Sequence, residues 1–107
     1  MTKFEKIAET FDATSQIILI PEIVSGVKKI DENAEAMEIT GNMFHMVAVT
    51  LKKRPDAMRR LIALDRDAKI EDIEDMEENE LIAAACKVFR DTVIPFFAAR
   101  KHTEGRQ

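Results

Sequence analysis

The chain has no tryptophan and no tyrosine, so its aromatic content rests on six phenylalanines. Three glycines and three prolines in 107 residues leave little material for hairpin turns or flexible linkers. A single cysteine, Cys86, excludes an internal disulfide and points to a reducing intracellular setting. Apolar stretches such as Ile17 to Ile20 fall far short of the roughly 20 residues that a membrane-spanning helix needs. Met1 to Asp12 is charged and lacks the apolar centre of a secretory signal. Positive charge is not in excess either. A net charge of -4 and a pI near 5.2 argue against general nucleic-acid binding, which needs cationic surface to displace counterions. No glycine-rich phosphate loop occurs, and with Ser15 and Ser25 as the only serines no hydrolytic triad suggests itself. These absences lead to the expectation of a cytoplasmic protein without membrane anchor, cofactor or catalytic centre.

What is present favours helices. Apolar residues make up 46% and charged ones 34%, a globular composition rich in the helix formers Ala, Glu, Lys, Leu and Met. The expected architecture is all-α, a small bundle of about five helices with the last one long. One domain should span 1–107, with a short N-terminal helix in 1–14 and a polar tail in 101–107. Phe4, Ile7, Ala8 and Phe11 follow the i, i+3, i+4, i+7 spacing of an amphipathic first helix. Thr14 or Ser15 can cap a second one carrying Ile17, Ile20, Ile23, Val24, Val27 and Ile30. Pro21 falls in its early part, where a missing amide hydrogen costs least if the helix starts near Leu19, and should kink it if it starts at Ser15. Asn33 is a candidate cap for a third helix, with Gly41-Asn42 as a weak point. The β-branched content of residues 43–51 leaves a strand as the lesser alternative there.

Pro55 disfavours helix at Arg54 and suits the first turn of a new one, whose stripe is Ala57, Leu61 and Leu64. A short piece around Ile70 and Ile73 follows. The last helix begins near Glu78 or Asn79 and runs to Phe96 and Phe97, with Pro95 bending its final turn.

Three clusters are candidates for chemistry. From Asp65 to Glu80 nine acidic residues face only Arg66 and Lys69. A calcium loop opening at Asp65 would have Lys69 in fifth place, Ile70 where Gly is required, and Met76 in twelfth place. That spacing fails, so a solvated connector is the better reading. The cations Lys52, Lys53, Arg54, Arg59 and Arg60 can offset a helix C-terminus and pair with nearby acids, or meet an acidic partner. His45, His102 and Cys86 are too far apart for the four-ligand spacing of structural zinc, and no metal site is expected. Cys86 falls on an apolar stripe and reads as core.

The stretch from Pro55-Asp56 through Leu61 to Leu64, Lys69 to Ile73, Asp75-Met76, and Leu81 to Phe97 resembles the C-terminal half of tail assembly chaperones of long-tailed bacteriophages and prophages. The likeness covers Arg54 to Arg100, about half the chain. It implies a small all-α cytosolic protein that coats the hydrophobic tape-measure protein before the tail tube polymerises, and that is not expected in the mature virion. In that family a programmed frameshift commonly yields a longer product.

Apolar surface is in surplus as well. Met37, Met43, Met46, Met58 and Met76 are spread over several helices, and adaptable methionine faces often bind partners or identical subunits. The functional expectation is a tail assembly chaperone that binds helical segments of the tape-measure protein and self-associates as a homo-oligomer. Met43, Phe44, Val47, Phe89, Phe96 and Phe97 are the candidate partner-binding residues. The alternative is a small helical nucleic-acid-binding regulator using Lys52 to Arg60.

Overall fold

In the computed structural model, residues 1–28 and 35–96 are described. All regular structure among them is helical: α1 (Lys3–Ile18), α2 (Pro21–Lys28), α3 (Ala36–Lys53), α4 (Pro55–Arg66), α5 (Ile70–Glu74) and α6 (Glu78–Val88). The last helix continues past Val88 through a π-helical turn, Phe89–Val93, and regains α geometry up to Phe96. The all-α bundle is therefore observed, with six helices among the described residues, and residues 43–51 are helix. Asn33, His102, Phe97 and the tail 101–107 lie outside the described residues.

α1 departs most from expectation. A capping box starts it: Thr2 Oγ1 accepts from the Glu5 amide at 3.1 Å, and Glu5 Oε1 accepts from the Thr2 amide at 3.4 Å. It does not stop by residue 14 but runs on to Ile18. Ser15 does not cap a new helix, because its hydroxyl turns back and donates to the Asp12 carbonyl at 2.7 Å. Pro21 sets the boundary instead. Its ring would clash with the Ile17 carbonyl in a continuous helix, so the chain breaks at Leu19–Ile20 and Pro21 opens α2, where no amide hydrogen is needed. A single kinked helix from Ser15 is thus replaced by two helices.

α4 is the centre of the fold. Ala57, Met58, Leu61, Ile62 and Ala63 are buried, and α1, α3, α5 and α6 all pack on this helix. Each fully buried Leu or Ile contributes about 1.5–3 kcal/mol relative to its exposed state. α1 contributes Ala13, Thr14 and Ile17 to the contact, and α3 contributes Met46, Val47 and Thr50 to the core. α4 ends at Asp67, which adopts a left-handed conformation (φ 54°), and the Ala68 amide returns to the Ala63 carbonyl at 2.9 Å. This closes the orphan carbonyls of the last turn as a glycine would.

α2 and α3 approach closely at Gly26. A Cβ built there would lie 2.6 Å from Met46 Sδ. Asn42 Nδ2 donates to the Gly26 carbonyl at 2.6 Å, so the Gly41-Asn42 step that looked weak is tied across to α2 and α3 runs unbroken. At the other end of the chain, the Ile94 amide reaches back five residues to the Phe89 carbonyl. Pro95 lacks an amide hydrogen and would press on the Asp91 carbonyl. The wider π turn just before it relieves that pressure, so the helix widens rather than ends.

Candidate interaction surfaces

The six residues singled out for partner binding part company. Phe44 is on the outer side of α3 and 54% exposed. Met43, one position back and 100° away around the helix, is half-buried against the core. Val47 and Phe89 are buried core residues, which corrects their assignment to an outward face. Val47 sits on the side of α3 that carries Met46 and Thr50, and the π turn directs Phe89 inward with Val93. Phe96 is partly exposed at the end of the last helix.

The structure adds a surface that was not among the residues singled out for partner binding. α1 has apolar residues on two faces and buries only one. Ala13 and Ile17 turn inward, while Phe4, Ile7 and Phe11 line the outer side, with Phe4 84% and Phe11 61% exposed. The signal was available in the spacing. Once the helix extends to Ile18, Thr10, Ala13 and Ile17 form one stripe, and Phe4, Ile7 and Phe11 form another about a third of a turn away. Ending the helix at residue 14 hid the competition between them.

A second outward stripe runs the length of α3. Met37, Gly41, Phe44, Ala48 and Leu51 are all exposed, at alternating steps of four and three residues. The larger three are Met37 at 82%, Phe44 at 54% and Leu51 at 41%. A Cβ added at Gly41 would meet nothing within 4 Å.

The charges between the helices act as staples. Arg60 reaches Glu9 and, at 3.0 Å, Asp12, joining α4 to α1. Arg59 bonds Glu74 of α5 at 2.6 Å, Lys87 of α6 bonds Asp65 at 2.8 Å, and Lys53 of α3 meets Glu22 of α2. The Lys53 hydrogen bond holds the Glu22 carboxyl below its ordinary range, opposed by desolvation and helped by the Lys53 charge. Arg90 does the same for the neighbouring Asp91. The hydrogen bond from Glu9 raises the Arg60 guanidinium, opposed by desolvation and helped by Asp12. These shifts come from ion pairs at the surface, and neither shifted carboxylate is buried.

The acidic segment thus has a structural part to play. Asp65, Asp67, Glu74 and Glu80 pair with Lys87, Lys6, Arg59 and Arg66, and Asp72 Oδ2 accepts from the Lys69 amide to start α5. Ile73 beneath them is buried. Of the five clustered cations, Lys53, Arg59 and Arg60 are spent on internal carboxylates, and Lys52 and Arg54 have no carboxylate partner among the described residues. Cys86 is half-buried against the core, and His45 lies exposed on α3 beside Pro21, Glu22 and Asn42. Among the described residues no three His, Cys, Asp or Glu side chains converge on a common point. No helix among them is long and apolar enough to cross a membrane. No known family model, curated protein or solved structure matches this chain.

Proposed function

We propose that the chain is a non-catalytic helix-binding chaperone of the phage tail-assembly type, acting in the host cytoplasm on the tape-measure protein. The observation that supports it is the aromatic stripe Phe4, Ile7 and Phe11, held outward on a helix whose other face is anchored to α4. A long apolar client helix can lie along such a stripe with its own i, i+3, i+4, i+7 residues, as amphipathic helices do in hydrophobic grooves. The sequence resemblance over Arg54 to Arg100 names the client class. The net charge of -4 would help keep the complex dispersed.

Co-expression with the tape-measure protein that this reading expects to be encoded beside the chain tests the proposal. Wild type should bring the client into the soluble fraction as a stable complex. Phe4→Ser combined with Phe11→Ser should abolish capture while leaving the fold intact, since both side chains are exposed. A client that stays insoluble with the wild-type chain removes the proposal.

The nucleic-acid alternative is weaker on charge. Three of its five cations are already neutralised by carboxylates of the same chain. A DNA-retention titration against salt should show almost no affinity for the chaperone, whereas a regulator would bind with steep salt dependence.

A further inference from the structure

The outer stripe of α3 has the spacing of a coiled-coil seam, and its sequence is complementary to itself. Steps of four and three residues place Met37, Gly41, Phe44, Ala48 and Leu51 on a narrow line, the pattern that lets two helices pack knobs into holes. Large and small residues alternate along it. Such a line fits its own reverse: with two copies antiparallel, Phe44 of each meets Ala48 of the other, and Leu51 meets Gly41. The open space at Gly41 leaves room for the incoming leucine.

Charge chooses the orientation. α3 is acidic at its start, with Glu35 and Glu38, and basic at its end, with Lys52, Lys53 and Arg54. Parallel pairing would set acids beside acids and cations beside cations. Antiparallel pairing in the same register sets Glu38 of one copy beside Lys52 of the other, twice, on one flank of the seam. It also gives a carboxylate to Lys52, which has none among the described residues. His45, also on that flank, then faces its own counterpart across the two-fold axis.

We infer that α3 is a homodimerisation helix, pairing antiparallel with α3 of a second copy of this chain through Met37, Gly41, Phe44, Ala48 and Leu51. This goes beyond the chaperone proposal and does not depend on it, because the stripe on α1 is left free for a client.

Sedimentation equilibrium of the full chain tests the inference without any client present. Wild type should have the mass of a dimer, twice the 12.2 kDa of the chain. Phe44→Glu and Gly41→Glu should each give monomers whose helical circular dichroism matches the wild type, because both positions point into open solvent in the single chain. Glu38→Lys should weaken the dimer about ten-fold by turning two attractions into two repulsions, and adding Lys52→Glu should restore it. A wild-type chain that remains monomeric overturns the inference, as does an assembly that persists in Phe44→Glu. Failure of Lys52→Glu to rescue Glu38→Lys overturns the antiparallel pairing. If Phe44→Glu changed only client capture and not mass, the seam would belong to the client and not to a second copy.

Discussion

Two threonines show how a single hydroxyl can change sides in the energy balance. Thr50 is fully buried and donates to the Met46 carbonyl at 2.9 Å, so its desolvation is offset. Thr14 is just as buried on α1, but its Oγ1 has no hydrogen-bond partner among the described residues. A buried hydroxyl without a partner costs about 1–3 kcal/mol, and valine has nearly the same shape and a similar helix propensity. Thr14→Val should therefore raise stability by about 1 kcal/mol. Thr50→Val, which gives up a hydrogen bond, should leave it unchanged or lower it. Urea denaturation of the two variants side by side would decide, and a destabilised Thr14→Val would mean that the hydroxyl does have a partner.

At the level of elements, the decisive contact is that of α2 with α3. Gly26 is buried against Met46, itself wholly buried, so an added methyl group has no exposed side chain to push aside. In an open helix Gly→Ala gains about 1 kcal/mol, but here the 2.6 Å approach should outweigh that gain. Gly26→Ala should lower stability by roughly 1–2 kcal/mol, whereas Gly41→Ala, with nothing within 4 Å, should raise the stability of the isolated chain. Thermal melts of both variants test the contrast. Much at this scale was legible in the sequence. Pro55 marks the α3–α4 boundary because proline at the first helical position is favourable while the residue before it leaves α geometry. The acids at Glu78 and Glu80 mark the start of α6 because they complement its dipole. The end of α1 was not legible, since a Ser or Thr hydroxyl can cap a helix or fold back on it with the same local sequence. The faces of α1 and of the last helix were hidden for a related reason: periodicity says which residues share a side, but tertiary packing says which side is buried. Phe89, read from the pattern as partner-binding, is thus core, and Phe4, which was not singled out for binding, is exposed.

Across the described residues, ion pairs tie most of the helices to one another, and most of their side chains are well exposed, Arg60 least. Each contributes little alone and is weakened by salt. They do set an acid dependence. A carboxyl held below its ordinary range contributes stability that is fully present above the unfolded group's pKa and is lost as pH falls through the lower folded value. Glu22 is such a group through Lys53. Glu22→Gln should be less stable than wild type at neutral pH, and the difference should vanish at an acid pH below the lowered folded value of Glu22, where both side chains are uncharged. Denaturant midpoints at the two pH values would measure this, and a gap that persisted in acid would count against the Lys53 contact.

The position of α4 in the chain also governs the order in which the molecule is made. The inner face of α1 is covered mainly by α4, and residues 19–54 must be synthesised between them. At roughly 5–20 residues per second, that interval lasts about 2–7 s on the ribosome. Throughout it α1 carries two unsatisfied apolar faces, one waiting for its own chain and one that its own chain never covers among the described residues. A nascent neighbour emerging nearby would meet the first 18 residues before the core had closed over them.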